Sequence, residues 1–383
     1  MPYAIIHYDE IGLKGSNRPY FERVLSENIK TALGGDLLNV GREYGQSILS
    51  LKKGVKEAEI AKKLEIVPGI ANFTFGERAK LSLAEINKMA VKIAKRSDAK
   101  TFKVDTKRHN KLFGKKSPEI NAKAGEAVLE GMPKIKVRMK NPGLLITIEI
   151  CNRHAYVSTK KHEGLGGLPV GTAGKVVSLV SGGLDSPVAS FLMMKRGARC
   201  VLVHFRNKLQ MEKSVQDKVE RLAKTLAKVQ GKTKLYIVPF EELQREIIAN
   251  IPAEYRMLVY RRFMLRISEK VAGLEKAKAL VVGDSLSQVA SQTLDNIGAV
   301  YSSVKMPVLS PLMGMNKREV VDISKEIGTY ETSILPYGDC CSYFVPKHPA
   351  IKASAEQLDR LESGLKIEEL ASRAFGGRTV RKL

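Results

Sequence analysis

The sequence of 383 residues lacks tryptophan and contains only four cysteines, Cys151, Cys200, Cys340 and Cys341. So few cysteines do not form a disulfide framework in a chain of this length, which favours a reducing compartment. No run of 18 uncharged apolar residues is present, which excludes a membrane-spanning helix. The start, MPYAIIHYDE, has neither a basic region nor a long apolar core, so we expect no secretory signal. These absences predict a cytoplasmic protein that makes no membrane contact.

Several familiar functional motifs are also missing. The six histidines are scattered, and the sequence contains neither HExxH nor CxxC, so we expect no resident metal site. The Walker A pattern GxxxxGK[ST] is absent, which excludes a Walker-type phosphate loop.

Positive charge is the strongest compositional signal. Lys and Arg number 64 against 40 Asp and Glu, a net charge of +24. The excess is uneven: residues 1–50 carry 5 bases and 6 acids, whereas residues 51–140 carry 23 bases and 10 acids. A concentrated basic region favours a nucleic-acid partner, and the alternative is a solvated surface of a lysine-rich protein.

Hydrophobic periodicity separates two kinds of architecture. Residues 1–162 mix short strands and helices, with a strand at 4–6, a helix capped near Asn17 and stopped by Gly34, and strands at 47–51, 134–137, 144–150 and 154–160. A glycine-rich stretch, 163–174, predicts a linker. From Lys175 onward, apolar strands at 175–180, 199–205, 234–240 and 279–285 alternate with helices, which predicts a parallel sheet covered on both faces.

The segment Ser181-Gly-Gly-Leu-Asp-Ser186 directly follows the first of these strands and opens a helix. Glycines allow a ligand to approach the backbone, and a helix N-terminus supplies N–H donors to an anion. The alternative is an ordinary glycine-rich turn. The motif resembles that of the PP-loop ATP pyrophosphatases, which cleave ATP between the α and β phosphates and adenylate a substrate.

Further segments narrow the resemblance to the tRNA 4-thiouridine synthetase (ThiI) family. They are EIGLKGSNR (10–18), the stretch 102–128, GDSLSQVASQTLDN (283–296) and ILPYGDCCSYFVPKHP (334–349). The resemblance implies a ferredoxin-like domain at 1–56, a THUMP RNA-binding domain at 57–162, the linker at 163–174 and a PP-loop domain at 175–383. The sequence departs from family members that carry a C-terminal rhodanese domain: no cysteine follows Cys341, so we expect a form without that domain.

The resemblance assigns ATP as cofactor, with Mg²⁺. The ATP-binding residues it implies are Leu179, Val180, Ser181, Gly182, Gly183, Leu184, Asp185, Ser186, His204, Phe205, Arg261, Gly283 and Gln292. Residues 179–180, 204–205 and 283 lie at the carboxyl ends of three parallel strands, where open α/β sheets bind ligands. The Arg261-Arg262 pair is expected to offset phosphate charge.

Two of these residues have competing interpretations. We expect Asp185 to hold Mg²⁺ or orient the loop, and the alternative is a helix cap. His204 at a strand end is also compatible with a satisfied core histidine.

The cysteines divide into two groups. Cys151 and Cys200 lie in apolar strands and predict small core side chains. Cys340 and Cys341 lie outside any apolar periodic segment, and the resemblance places a catalytic persulfide carrier here, with Cys341 preferred and Cys340 as its alternate or resolving partner. Inert surface thiols and metal or cluster ligation are the alternatives.

Basic residues around 100–116 are the candidates for RNA contact: Lys103, Lys107, Arg108, Lys111, Lys115 and Lys116. The neighbouring Phe102 and Phe113 are predicted as core anchors rather than stacking platforms, which favours a folded RNA over a base-stacked single strand.

The function implied is an ATP-dependent tRNA sulfurtransferase, with a sulfur-carrier role in thiamine thiazole synthesis. Its partners are tRNA and a sulfur donor, either a cysteine desulfurase or another persulfide or sulfide source, and a homodimer is compatible. The alternatives are another PP-loop adenylating enzyme, such as a tRNA 2-thiouridine or an amidating synthetase, and an RNA-binding protein with a regulatory nucleotide domain.

Overall fold

The computed structural model divides into two units, Met1–Pro169 and Val170–Leu383. The division falls inside the glycine-rich stretch 163–174. The residues that the structure describes are 3–8, 10–43, 45–207, 213–336 and 348–383.

The first unit contains one mixed β-sheet whose strand order, among the described residues, is β2-β3-β1-β4-β8-β7-β5-β6. Its elements are β1 (Tyr3–His7), α1 (Arg18–Leu33), β2 (Leu37–Glu43), β3 (Gln46–Leu51), α2 (Glu57–Glu65), β4 (Asn72–Lys80), α3 (Leu83–Ala94), β5 (Thr101–Arg108), α4 (Ser117–Gly131), β6 (Lys136–Val137), β7 (Leu144–Ile150) and β8 (His154–Glu163).

The sheet continues across the junction between the two α+β regions of this unit. β4 pairs antiparallel with β1 on one side and with β8 on the other. The β4–β8 register shifts between Thr74 and Gly76, and a Cβ at Gly76 would lie 2.9 Å from the Val157 carbonyl oxygen. A side chain does not fit at so close an approach, so glycine permits the irregular pairing that joins the two regions.

Sequence patterns predicted the first helix better than its cap. α1 begins at Arg18 with a proline in its first turn and ends at Leu33, and its C-cap residue is Gly34, whose φ of 53° favours glycine. Asn17 occupies the N-cap position, but its side chain makes no capping hydrogen bond, so the capping prediction was wrong.

The second unit contains a six-stranded sheet of order β13-β12-β9-β10-β11-β14 among the described residues. Its elements are β9 (Lys175–Leu179), α5 (Asp185–Lys195), β10 (Arg199–Arg206), α6 (Lys213–Gln230), β11 (Lys234–Pro239), α7 (Glu241–Asn250), α8 (Arg256–Glu275), β12 (Leu280–Val281), α9 (Leu294–Tyr301), β13 (Val308–Leu309), α10 (Lys317–Glu326), α11 (Tyr330–Ser333), α12 (Ala355–Glu362), α13 (Ile367–Gly376) and β14 (Thr379–Lys382).

The expected parallel α/β architecture is confirmed for this unit. β13, β12, β9, β10 and β11 pair in parallel, and the edge strand β14, which the sequence did not predict, pairs antiparallel with β11. β12 is only two residues long, shorter than the predicted strand at 279–285, because the chain leaves the sheet before Gly283. In the described part of the chain, no helix has the length and apolar character needed to cross a bilayer.

A buried carboxylate, Glu149 on β7, joins segments that are distant in sequence. Its side chain is 1% exposed and accepts hydrogen bonds from Nε2 of His7 and of His109, each at 3.1 Å, and from Nε2 of Gln46 at 2.9 Å. Burial raises the pKa of this carboxyl, but the hydrogen bonds from His109 and His7 outweigh it and hold the pKa well below the ordinary value of 4.5.

We predict that Glu149→Gln lowers the free energy of unfolding by about 1–3 kcal/mol at neutral pH, because an amide accepts fewer hydrogen bonds than a carboxylate. Since the folded-state pKa is depressed, the stabilisation is complete above about pH 4.5 and is lost as the pH falls towards the folded-state pKa. Urea unfolding at a series of pH values measures both effects.

The matched control is Glu126→Gln, since Glu126 forms an exposed pair with Lys123 and should change stability by less than about 1 kcal/mol. The prediction would be contradicted if the difference in free energy of unfolding between wild type and Glu149→Gln stayed constant down to pH 3.

Candidate active site

A cavity of about 280 Å³ lies beside the carboxyl ends of β9, β10 and β12 in the second unit. It brings together eleven of the thirteen predicted ATP-binding residues. They are Leu179, Val180, Ser181, Gly183, Asp185, Ser186, His204, Phe205, Arg261, Gly283 and Gln292. Gly182 and Leu184, in the same loop, do not line it.

Six further residues line the cavity and were missed by the sequence analysis: Met257, Met264, Leu265, Val282, Asp284 and Ser291. Three of them lie on α8 at helical spacing from Arg261, so they share its face. That spacing was the available signal. The others flank Gly283 and Gln292 in the chain.

Two serines hold the glycine-rich loop together. The backbone N–H of Ser181 donates to Oγ of Ser186 at 2.8 Å, and the N–H of Gly183 donates to Oγ of Ser181 at 3.2 Å. The first helical residue of α5 is Asp185, and its N-cap residue, Leu184, makes no side-chain cap. The helix-cap interpretation of Asp185 was therefore wrong, and the start of α5 presents backbone N–H groups without a capping side chain.

Gly283 approaches this helix start closely. A Cβ at position 283 would lie 2.8 Å from the backbone nitrogen of Ser186 and 3.0 Å from the carbonyl carbon of Asp185. Real side chains do not tolerate such contacts with backbone, so only glycine lets the chain after β12 lie against α5.

The Asp185 carboxylate is held by two donors from elsewhere in the unit. Nζ of Lys317 lies 2.6 Å from Oδ1, and Nε2 of Gln288 lies 3.1 Å from Oδ2. In the described ranges, no group of three or more His, Cys, Asp or Glu side chains is arranged to hold a metal ion. The arrangement is therefore a partly exposed carboxylate beside a cation, not a metal cage.

His204 and Phe205 end the second strand of the site. The His204 ring is 5% exposed, and its Nδ1 lies 3.0 Å from the Val180 carbonyl oxygen, which requires the proton on Nδ1. His204 is thus both a satisfied buried histidine and a residue of the cavity wall. Phe205 packs edge-on against Phe240 at 5.3 Å between ring centroids.

The two arginines of the predicted pair point to different places. Arg261 lines the cavity, with its guanidinium paired to Asp284 and donating to the Ser291 carbonyl oxygen at 2.7 Å. Arg262 is 2% exposed and pairs with Asp359 and Glu362. The expectation that both offset phosphate charge was wrong for Arg262, because adjacent helical residues face different directions.

The predicted RNA-binding residues lie along β5 and the segment that leads to α4. Lys107, Lys111, Lys115 and Lys116 are exposed and Lys103 is half-buried. Arg108 instead stabilises the backbone of this segment, because its Nη2 donates to the carbonyl oxygens of Lys111 at 2.7 Å and Phe113 at 3.2 Å.

The two phenylalanines of the same region belong to the core. Phe102 is 1% exposed in the apolar cluster between the sheet and helices α3 and α4, and Phe113 packs against that cluster. Their prediction as core anchors is confirmed.

The structure describes two of the four cysteines. Cys151 and Cys200 are buried, and burial raises the pKa of each thiol to about 12, so both are protonated and unreactive at neutral pH. Their prediction as core side chains is confirmed. Cys340 and Cys341 lie outside the described residues.

Three segments of the chain match known protein families. Residues 3–74 match the ThiI ferredoxin-like domain, residues 80–160 the THUMP domain, and residues 171–367 the family described as thiamine biosynthesis protein (ThiI).

Individual relatives are similar over nearly the whole chain. A probable tRNA sulfurtransferase of Caldanaerobacter subterraneus is 43% identical and covers 95% of this chain and 96% of its own. One from Thermus thermophilus is 38% identical, with coverage of 97% and 92%. The crystal structure of a 4-thiouridine synthetase–RNA complex with bound ATP superposes with a TM-score of 0.91 at 35% identity, covering 100% of both chains. The chain therefore belongs to the tRNA sulfurtransferase (ThiI) family.

Proposed function

We propose that this protein is an ATP-dependent tRNA sulfurtransferase that converts a tRNA uridine, position 8 by family resemblance, into 4-thiouridine. The observation that carries the proposal is the cavity at the ends of the parallel strands. One part of its wall is formed by the glycine-rich loop and by the start of α5, which has no side-chain cap. The solved relative with ATP and RNA supports the same pair of ligands for this chain.

The chemistry requires activation of the uridine before sulfur arrives. The C4 oxygen is a poor leaving group, and adenylation by ATP converts it into AMP, which leaves readily. The pyrophosphate released in this step is a polyanion, and the N–H groups at the start of α5 suit it. In the proposal, the pyrophosphate is bound by the loop residues Ser181, Gly182, Gly183, Leu184 and Ser186.

Mg²⁺ is proposed to enter with ATP as its phosphate-bound counter-ion. Magnesium is usually held by one or two carboxylates together with substrate phosphates and water, rather than by an all-protein cage. Asp185 is the carboxylate of the loop that fits this role, and Lys317 beside it adds positive charge to the same place.

The sulfur is proposed to arrive as a cysteine persulfide on Cys341, or on Cys340, whose outer sulfur attacks C4 as AMP departs. A second thiol, either the neighbouring cysteine or an added dithiol, then attacks the inner sulfur of the Cys–S–S–C4 adduct, which releases 4-thiouridine and leaves a disulfide. The source of the persulfide sulfur is a cysteine desulfurase or another persulfide donor, whereas free sulfide attacks the adenylated C4 directly without passing through a cysteine. We also propose a cytoplasmic location, a homodimer as the working assembly, and a sulfur-carrier role in thiamine thiazole synthesis.

The first test uses wild type and Asp185→Ala with ATP, Mg²⁺, sulfide and unmodified tRNA. Wild type should generate AMP, pyrophosphate and the near-ultraviolet absorption of 4-thiouridine. Asp185→Ala should form all three products at least about 100-fold more slowly, because phosphate positioning and charge compensation are lost together, while tRNA affinity is retained.

Asp322→Ala is the matched control, since Asp322 is an exposed acid on α10. Release of AMP by Asp185→Ala at the wild-type rate would contradict the proposed role of the loop.

The second test separates adenylation from sulfur transfer. Cys341→Ser, or Cys340→Ser if the adjacent thiol is the carrier, should release pyrophosphate normally but form no 4-thiouridine from a persulfide donor, because a hydroxyl cannot carry the sulfur. Cys200→Ala is the control, since its buried thiol is protonated. Normal thiolation by the Cys340→Ser/Cys341→Ser double variant would remove both residues from the mechanism.

The third test concerns tRNA affinity. Reversal of Lys107, Lys111 and Lys116 to Glu should weaken tRNA binding by about tenfold or more and make the affinity less dependent on salt concentration. The reason is that binding releases about one counter-ion fewer for each phosphate contact that is lost. Arg108 is left unchanged because its side chain stabilises the backbone between β5 and α4.

The control reverses three exposed lysines of the second unit, Lys224, Lys228 and Lys232. If these reversals weaken binding and those near β5 do not, the RNA site lies on the second unit instead.

A further inference from the structure

Asp284 connects three segments that surround the cavity. It lies three residues after the end of β12 and is 6% exposed. Its Oδ2 accepts from the guanidinium of Arg261 on α8 and from the hydroxyl of Tyr301 on α9, the latter at 2.8 Å. Its Oδ1 accepts from Nε2 of Gln292 at 3.1 Å. A single carboxylate therefore fixes two side chains of the cavity wall.

A second layer of contacts keeps this arrangement in place. The Tyr301 hydroxyl lies 2.6 Å from Oγ of Ser310, and Arg261 also donates to the Ser291 carbonyl oxygen. Burial, together with the charge of Asp284, raises the pKa of Tyr301 above its ordinary value, so its hydroxyl keeps its proton and donates to Asp284. Asp284 is thus restrained from the side away from Gln292.

This geometry decides which way the Gln292 amide faces. A carboxylate only accepts hydrogen bonds, so the amide nitrogen must face Asp284 and the oxygen must face elsewhere. Gln292 is 9% exposed and lines the cavity, and its Oε1 is buried with no hydrogen-bond partner among the described residues. Buried acceptors are normally satisfied, which indicates that a ligand supplies the donor.

We propose that Asp284 is a positioning residue that orients Gln292 so that its Oε1 accepts a hydrogen bond from an N–H or O–H group of the bound nucleotide. The pair then contributes to nucleotide specificity. ATP carries such donors on the 6-amino group and on the two ribose hydroxyls, whereas ionised phosphates carry none. The inference rests on the proposed function only in taking ATP as the occupant of the cavity.

The test measures dissociation constants by titration calorimetry of the full chain with ATP and three analogues that each lack one donor. The analogues are purine riboside triphosphate, 2′-deoxy-ATP and 3′-deoxy-ATP. Wild type should bind one of them about tenfold more weakly than ATP, the loss expected for one hydrogen bond in a buried site. In Asp284→Asn and in Gln292→Met this preference should fall below about threefold, and the double variant should lose nothing further.

Two additional variants keep the test decisive. Asp295→Asn, which changes an exposed acid on α9, should retain the wild-type preference. Tyr301→Phe keeps the carboxylate but removes one of its donors, so it should reduce the preference by about two- to fivefold even if Asp284→Asn does not fold.

Equal binding of ATP and all three analogues by wild type would overturn the acceptor role of Gln292. A wild-type preference that persists in Asp284→Asn or, should that variant not fold, in Tyr301→Phe would overturn the positioning role of Asp284. If wild type shows the predicted preference and the variants lose it, the inference stands even where 4-thiouridine is not formed, and only the proposed function then fails.

Discussion

The packing of bare backbone against the start of α5 is the constraint on which the candidate active site depends. A polyanion can use the N–H groups of a helix start only if no side chain fills the space in front of them. The sequence meets this requirement with Gly182 and Gly183 in the loop and with Gly283 on the neighbouring strand end, where a Cβ would clash with Ser186. The serines then provide the hydrogen bonds that fix the loop without occupying that space.

Each unit buries a carboxylate that accepts from three side chains. In the first unit, Glu149 accepts hydrogen bonds from His7, Gln46 and His109. In the second, Asp284 accepts them from Arg261, Gln292 and Tyr301. A buried charge is tolerated only when its acceptors are filled, so such a group forces its donors into one arrangement. In the first unit the consequence is the joining of distant strands. In the second it is the orientation of side chains that line the cavity.

The parts of the fold that follow from local chemistry could be predicted from the sequence. Continuous apolar strands after Lys175 predicted the parallel sheet, and the loop at 181–186 predicted the edge at which the cavity lies, because strand ends of a parallel sheet meet there. β2 and β14 were missed for a physical reason. The first contains only exposed and half-buried residues without regular alternation, and the second is exposed throughout, so neither shows the apolar pattern by which strands are recognised.

The roles of individual charged residues depend on geometry that a linear motif does not contain. Consecutive residues of a helix point about 100° apart, so a pair of adjacent arginines need not face the same cavity. Arg261 shares its face with Met257, Met264 and Leu265, at the spacing of successive turns, whereas Arg262 faces the acids of α12. Nor could the sequence show that Arg261 is already engaged by Asp284 and Ser291. Lys317, which is about half exposed, pairs with Asp185 of the glycine-rich loop from 132 residues away. Charge compensation at this site is therefore a property of the tertiary fold, assembled from α8, α10 and the loop.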